Sequence, residues 1–348
     1  MERAANHSGC ASGGVVPRSS ASLIQGERIV GESPCIDRIK SYLLNVASTD
    51  SNFLITGETG TGKELVARLV HENSPRRQRP FVCINCTAIP DGLLESELFG
   101  FERGAFTGAY TLREGKLKAA EGGTVFFDEV GDMTPFAQAK ILRTIESKEV
   151  ERLGGTKSVA INVRIIAATN QELERSVAEG KFRKDLYFRL NVARVHMPPL
   201  RERKEDIPRL LRHYLGEYNR SHGRDVKGFT DEALECLLRY DWPGNVRELK
   251  NLIEAIFVNL PSGRLSFLDL PEIFRKGLEG IVGLPLPEQE RLLSALLSTN
   301  WNKSKAAQKL HWSRMTVYRK MAKYHLSEEK REKNATDTLQ QTAPGATL

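Results

Sequence analysis

The segment GETGTGKE, residues 57–64, most narrows the folds open to this chain. It follows the apolar segment NFLIT and precedes LVARLV, in which Leu65, Val66 and Leu69 share one helical face. A strand, a glycine-rich loop and a helix in this order form a phosphate-binding loop, because backbone N–H groups and the helix amino terminus point at phosphate oxygens. Glu64 stands where the general pattern has Ser or Thr. The context favours a phosphate loop over an ordinary glycine-rich turn.

A second strand-end motif supports this interpretation. GGTVFFDEV, residues 122–130, is an apolar strand that ends in Asp128 and Glu129. In a Walker B arrangement, Asp128 binds Mg²⁺ and Glu129 orients and deprotonates the attacking water. The alternative is a buried strand with an acidic pair at its exit, but two such strand ends in one chain argue against coincidence. We expect Thr169 and Asn170, after the apolar segment IIAA, to sense the γ-phosphate.

Apolar segments of strand length alternate with segments of helical periodicity between residues 27 and 200. NFLIT, FVCI, TVFFD and VRIIAAT are the strand candidates, and ELVARLVHEN and AQAKILRTIESKE have helical spacing. Such alternation predicts an α/β domain with a mainly parallel sheet covered by helices. From 201 to 275 the strand segments stop, and amphipathic helices predict a small helical domain.

The other segments have distinct compositions, which predict their roles. We expect a flexible N-terminal tail at 1–26, a Gly/Pro-rich linker at 276–287, a three-helix domain at 288–326 and a disordered tail at 327–348.

Charge is concentrated near the end of the chain. The net charge is +7, and the segment 300–326 carries seven Lys or Arg residues and no acidic residue. The chain has no apolar stretch of membrane-spanning length and no secretory signal, and its five cysteines are irregularly spaced. We therefore expect a reducing, cytoplasmic location, no membrane association and a polyanionic partner.

The cationic segment predicts a helix-turn-helix. One helix spans about Lys303–Leu310 and a second spans Arg314–Lys323, with Ser313 as its N-cap. A helix-turn-helix inserts its second helix into the major groove of double-stranded DNA. A merely cationic surface helix is the alternative. The candidate DNA-binding residues are Lys303, Ser313, Arg314, Thr316, Arg319, Lys320 and Lys323.

Eight motifs in one order resemble the central AAA+ domain of sigma-54-dependent transcriptional activators, the bacterial enhancer-binding proteins. They are GETGTGKE, INC, LLESELFGFERGAFTGA, GGTVFFDE, RIIAATN, FRKDLYFRLN, PPLRER and WPGNVREL. The most specific is GAFTGA, residues 104–109. The resemblance covers about 29–274, and a Fis-type helix-turn-helix extends it to about 326. It implies an AAA+ P-loop NTPase fold at 27–200, a helical lid at 201–275 and a separate all-α DNA-binding domain.

The resemblance also implies a nucleotide site for ATP and Mg²⁺. In this family Glu commonly follows the loop lysine, so Glu64 fits the local pattern. Val30 and Gly31 would lie near the adenine. The remaining nucleotide-binding candidates are Gly57, Glu58, Thr59, Gly60, Thr61, Gly62, Lys63, Glu64, Ala120, Glu121, Gly122, Gly123, Thr124, Asn170 and Arg247.

Four further roles follow from the resemblance. Asn85 would hold Glu129 back until the partner is engaged. Arg183 and Arg189 would act in trans on a neighbour's ATP, which implies a ring; the family forms hexamers, and dimers when inactive. Arg247 would couple nucleotide state to the lid. The sigma-54 contact would be the loop Gly104, Ala105, Phe106, Thr107, Gly108 and Ala109.

The implied function is activation of sigma-54 RNA polymerase holoenzyme from upstream enhancer DNA, with ATP hydrolysis converting the closed promoter complex into an open one. Two alternatives keep the DNA-binding end: a related regulator whose AAA+ domain has decayed into a repressor-like sensor, and another AAA+ machine such as a helicase loader. GAFTGA and both Walker acids argue against them. Only 26 residues precede the motor, too few for the sensory domain usual in the family, so we expect control by a separate protein or a chain that is part of a longer one.

Overall fold

The computed structural model describes residues 29–87, 91–258, 262–279, 288–324 and 326. These residues divide into two compact units: 29–58 with 62–197, and 59–61 with the residues from 198 onward. The N-terminal tail predicted at 1–26 and the C-terminal tail predicted at 327–348 lie outside the described residues.

The first unit contains an α/β sandwich and two small hairpins. Its helices are α1 Pro34–Ala47, α2 Lys63–Glu72, α3 Asp91–Phe99, α4 Lys116–Ala119, α5 Pro135–Ser147, α6 Leu173–Ala178 and α7 Lys184–Leu190. Its strands are β1 Phe53–Thr56, β2 Phe81–Asn85, β3 Gly100–Phe101, β4 Arg113–Glu114, β5 Thr124–Asp128, β6 Glu149–Glu151, β7 Ser158–Ala160, β8 Arg164–Thr169 and β9 Ala193–His196.

Five strands form a parallel sheet in the order β2-β5-β8-β1-β9. Every residue of β1 and β8 is buried, which explains their continuous apolar sequences. Successive residues point to opposite faces, so Phe127 joins the core cluster on one face while Phe126 joins the cluster on the other. The α/β prediction is confirmed, and the sheet carries one further strand, β9, that the sequence analysis did not identify.

The second unit contains the predicted lid helices. They are α8 Ile207–His222, α9 Asp231–Arg239, α10 Asn245–Val258 and α11 Glu272–Glu279. Two short strands, β10 Val226–Phe229 and β11 Gly263–Leu265, pair in parallel, so the expectation of helices alone was wrong in this detail. The Asn219 side chain exchanges two 3.0 Å hydrogen bonds with the backbone of Val226, which fixes the start of β10.

The start of the predicted linker also needs correction. Residues 276–279 continue α11, because Lys276 forms a 2.8 Å ion pair with Glu272 one turn earlier and Leu278 is fully buried. Residues 280–287 lie outside the described part of the chain.

Three helices close the described chain: α12 Glu288–Ser298, α13 Lys303–Leu310 and α14 Arg314–Lys323. The bounds of α13 and α14 are those that the sequence predicted. Ser313 caps α14 by accepting a hydrogen bond from Thr316 N at 3.1 Å. Their shared core consists of Leu292, Ala295, Leu296, Trp301, Ala306, Ala307, Leu310, Val317 and Met321.

Candidate nucleotide site and DNA-binding surface

The glycine-rich loop joins β1 to α2, as the sequence predicted. Gly62, at the N-cap of α2, has a φ of +100°, a region that favours glycine. A Cβ on Gly60 would lie 2.3 Å from Gly244 O, so no side chain fits there without movement of the backbone. The loop geometry therefore explains both glycines. The first N–H groups of a helix have no acceptor within the helix, so a helix start of this kind suits an anion.

Lys63 is held in place by the start of the loop and by Glu129. Its side chain is 6% exposed, and Nζ donates to Gly57 O at 2.9 Å and to Glu58 O at 3.4 Å. Nζ also lies 3.2 Å from Oε1 of Glu129. The buried Lys63 ammonium group therefore lies beside the amino terminus of α2. It could bind a phosphate oxygen after its ion pair with Glu129 is broken.

Glu129 joins three strand ends of the parallel sheet. It follows β5, adopts left-handed backbone angles (φ +54°, ψ +53°) and accepts a 2.8 Å hydrogen bond from Asn170 N through Oε2. Its other oxygen pairs with Lys63, beyond the end of β1. The loop lysine, the Walker B glutamate and the residue after β8 are thus brought together.

Asp128 lies at the end of β5, beside Asn85 of β2 in the strand register. Burial raises the pKa of the Asp128 carboxyl group, and the adjacent Glu129 charge raises it further. A cation would offset this concentration of negative charge. Among the described residues no group of three or more His, Cys, Asp or Glu could hold a metal. A Mg²⁺ ion beside Asp128 would take its other ligands from phosphate oxygens and water.

Two predicted site residues are engaged within their own segments. Asn85 Oδ1 accepts hydrogen bonds from Thr87 N at 2.9 Å and Thr87 Oγ1 at 2.7 Å. Glu64 Oε1 accepts from Arg68 at 2.8 Å, one turn along α2, and is half exposed. The pair with Arg68 gives Glu64 a local role in the helix.

Part of the predicted second nucleotide segment lies at the opposite edge of the sheet from Glu129. Ala120, Glu121, Gly122, Gly123 and Thr124 lie at the amino end of β5, whereas Asp128 and Glu129 lie at its carboxyl end. The four steps of about 3.3 Å from Thr124 to Asp128 separate the two edges by roughly 13 Å.

Local packing explains two of those five residues. Gly123 passes so close to Pro80 that a Cβ would lie 2.1 Å from its carbonyl oxygen. Thr124 Oγ1 lies 2.9 Å from Nδ1 of the buried His71. Gly123 and Thr124 thus have packing and hydrogen-bond contacts at this edge of the sheet.

Val30 and Gly31 precede α1 in the first unit. Gly31 is buried, and its carbonyl oxygen accepts a 2.5 Å hydrogen bond from Lys40 Nζ.

The tip of the loop, 59–61, belongs to the second unit, where three residues hold its backbone. Asn245 Nδ2 donates to Thr59 O at 3.0 Å, Arg247 N donates to Gly60 O at 3.3 Å and Arg203 Nη2 donates to Thr61 O at 3.3 Å. Arg247 thus contacts the loop through its backbone.

Asn245 is a residue that the sequence analysis missed. It is fully buried, has a φ of +53°, and its Oδ1 accepts a 2.7 Å hydrogen bond from Leu200 N. The signal was available: Asn follows Pro-Gly in WPGN and tolerates left-handed angles better than most residues.

Arg183 and Arg189 lie on an exposed face at α7. Arg183 forms a 2.7 Å ion pair with Asp185 and Arg189 a 3.0 Å pair with Glu146. The pair with Arg183 lowers the pKa of Asp185. The buried Gln138 accepts the backbone N–H of Arg183 at 2.8 Å, so the position of this arginine is fixed while its side chain stays accessible.

The GAFTGA segment forms the tip of the hairpin between β3 and β4. Gly104 N donates to Ala109 O at 2.8 Å, which closes the loop. Phe106 is 42% exposed and packs edge-on against Phe101 with ring centroids 4.9 Å apart. Thr107, at the apex, is exposed. The tip therefore presents an aromatic ring and a hydroxyl on a closed hairpin.

Most of the predicted DNA-binding residues lie on the outer side of α14 and on α13. Arg314, Arg319 and Lys323 are exposed, and Arg319 lies opposite the buried Val317 and Met321. Lys320 was wrongly placed on this face: its Nζ pairs with Glu288 and lies 4.9 Å from the Trp312 ring centroid. The helical rotation that buries Met321 directs Lys320 toward α12.

Three known domain families match successive parts of the chain. The Sigma-54 interaction domain matches residues 29–196, the AAA+ ATPase lid domain 201–280, and the Fis family of bacterial regulatory proteins 284–324. Transcriptional regulatory protein ZraR of Klebsiella oxytoca is 45% identical over 303 residues, which cover 85% of this chain and 68% of ZraR. The chain belongs to the sigma-54-dependent transcriptional activators.

Other relatives of this activator agree. Regulator NtrC of Escherichia coli K12 is 43% identical over 324 residues, covering 84% of the chain and 69% of NtrC. The crystal structure of NtrX from Brucella abortus in complex with ADP is 33% identical, covers 86% of the chain and 70% of NtrX, and superimposes with a TM-score of 0.67. Its complex with ATP gives 34% identity, 86% and 69% coverage, and a TM-score of 0.65.

The activator thus has an AAA+ P-loop NTPase domain, an AAA+ lid and a Fis-type helix-turn-helix. Within the described residues, no helix has both the length and the apolar content needed to cross a membrane.

Proposed function

We propose that this activator binds ATP with Mg²⁺ at the loop 57–64 and hydrolyses it. The observation that carries the proposal is the position of Glu129, between Lys63 Nζ at 3.2 Å and Asn170 N at 2.8 Å. The relative NtrX, crystallised with ATP and with ADP, supports the choice of nucleotide. Asp128 would hold Mg²⁺, which supplies charge neutralisation at the phosphates when bound.

Each protein group has a distinct task in this reaction. On nucleotide binding, Lys63 turns from the Glu129 carboxylate to a phosphate oxygen. The carboxylate is then free to orient a water molecule and accept its proton. Asn170 would respond to the terminal phosphate through the same carboxylate. Arg183 and Arg189, exposed on α7, would leave their own carboxylates to stabilise the charge developing at a neighbouring subunit's ATP.

Trans-acting arginines need a ring of identical subunits, which we propose to be a hexamer that assembles from inactive dimers. The Fis-type module would bring the activator to upstream enhancer DNA. Hydrolysis would move the GAFTGA hairpin, with Phe106 and Thr107 at its tip, against sigma-54. That movement would convert the closed polymerase complex into an open one. Arg247, which contacts the loop backbone, would pass the nucleotide state to the lid.

A trapping experiment tests this function. The full chain is incubated with sigma-54 and ADP–aluminium fluoride, a transition-state mimic, and complex formation is measured by native electrophoresis. We expect a complex with the mimic and none with ADP. A chain that hydrolyses no ATP and binds no sigma-54 under either condition would support the repressor-like alternative instead.

A further inference from the structure

The outer face of α14 carries two large apolar side chains among its cations. Met315 is 78% exposed and Tyr318 is 47% exposed, whereas the other methionine of the helix, Met321, is 9% exposed. Met315 lies one residue after Arg314 and one helical turn before Arg319, both of which are exposed. Met315 therefore shares the surface that the two arginines would present to DNA.

The position and chemistry of Met315 limit what it can contact there. It stands in the first turn of α14, the part of a recognition helix that reaches base edges. Its thioether cannot donate a hydrogen bond to a phosphate or to a base acceptor. In the major groove, the apolar group available to such a side chain is the C5 methyl of thymine, while arginine is suited to guanine.

Tyr318 is supported from the neighbouring helix. Lys303 Nζ, on α13, lies 6.0 Å from the centroid of the Tyr318 ring. This contact places the ring at the side of the face that borders α13. Met315 is 78% exposed and projects from the centre of the face.

We propose that Met315 is a specificity-determining residue that contacts the C5 methyl group of a thymine in each operator half-site. The proposal rests on the proposed binding of enhancer DNA by α14. Recognition at this position would depend on apolar contact, whereas the adjacent arginines would supply hydrogen bonds and phosphate attraction. The segment 300–326, with seven cations and no acid, provides the required charge complementarity to DNA.

Deoxyuridine substitution tests the contact, since deoxyuridine lacks only the methyl group of thymidine. The full chain first selects a preferred duplex from a random library. Each thymine of that duplex is then replaced by uracil in turn, and Kd is measured by fluorescence anisotropy at one salt concentration. We expect one position per half-site at which uracil weakens binding about fourfold, the value of one buried methyl group.

Two variants assign the effect to one side chain. Met315→Ala should bind the thymine duplex more weakly and should no longer distinguish it from the uracil duplex. Lys323→Ala, the matched control, should weaken binding to both duplexes equally and retain the fourfold difference. Circular dichroism of the Met315→Ala variant checks that α14 is intact.

The outcomes separate this inference from the proposed function. If the chain binds no DNA, enhancer binding itself is wrong. If it selects a sequence but no uracil substitution weakens binding, Met315 contacts no thymine methyl. If the fourfold difference persists in Met315→Ala, another residue makes the contact, and the assignment is overturned.

Discussion

Replacing Glu129 by Gln should move nucleotide binding and hydrolysis in opposite directions. The change keeps the side-chain shape and one oxygen for Asn170 N, but it removes the charge that pairs with Lys63. In the structure, Lys63 must give up this contact before it can bind a phosphate. The substitution therefore weakens a competitor of ATP and at the same time removes the proposed base.

The magnitudes follow from the burial of the pair. The side chains of Lys63 and Glu129 are 6% and 15% exposed. A hydrogen bond to a charged group contributes about 1.5–3 kcal/mol, of which glutamine retains part. A difference of about 1 kcal/mol corresponds to roughly fivefold tighter ATP binding. Loss of the base should lower kcat by about 10²–10⁴.

The assay pairs two variants of one segment. Binding of a fluorescent ATP analogue gives Kd, and phosphate release gives kcat. Glu121→Gln makes the same charge change at the amino edge of the sheet, where Glu121 accepts a 3.1 Å hydrogen bond from Asn162 N, and both constants should stay within about twofold. Near-normal hydrolysis by Glu129→Gln, or equal losses in both variants, would refute the assignment of the site to the carboxyl edge.

Asn245→Asp keeps the oxygen that accepts from Leu200 N but loses the N–H group that donates to Thr59 O. ATP affinity should fall about tenfold in the same binding assay, and unchanged affinity would contradict the role of this side chain. Arg183→Ala and Glu129→Gln subunits should each be inactive in phosphate release, whereas their mixture should recover part of the activity, because some interfaces then combine an intact arginine with an intact glutamate; no recovery would argue against action in trans. Thr107→Ala should retain ATPase activity within about twofold and lose open-complex formation, and normal transcription would exclude the hairpin as the sigma-54 contact. Burial lowers the pKa of His71, so the unfolded chain binds more protons and stability should fall as the pH drops below about 6.5; thermal melting at pH 7.5 and 5.5 should show a smaller difference in His71→Gln, and an equal one would contradict this.

The trans-complementation and pH experiments have matched controls in the chain. Mixing Arg183→Ala with wild-type Arg183 subunits shows whether subunits exchange at all. His222→Gln replaces a histidine at an exposed position and shows how much of any change comes from replacing a histidine as such.

The sequence predicted those elements whose local and tertiary requirements agree. β1, β5 and β8 are buried on both faces, so each of them appears in the sequence as a continuous apolar segment. Ser313 and the apolar spacing of Val317 and Met321 likewise gave α14 its limits. In each case the residues that stabilise the element also produce the sequence pattern that predicts it.

What the sequence did not predict depends on distant contacts. The roughly 13 Å between the two ends of β5, Thr124 and Asp128, follows from the extended strand, and a motif read as one continuous segment conceals it. Asn245 acquires its role from two backbone groups far away in sequence. Lys320 is a cation of the type that binds DNA, and only the packing of α12 shows that it pairs with Glu288.

The coupling of hydrolysis to promoter opening is tested most directly by permanganate footprinting of a sigma-54 promoter, with the full chain bound to its upstream site. With ATP, thymines around the start site should become reactive as the strands separate; with a non-hydrolysable analogue they should stay protected. Reactivity with both nucleotides, or with neither while ATP is being hydrolysed, would contradict this mechanism.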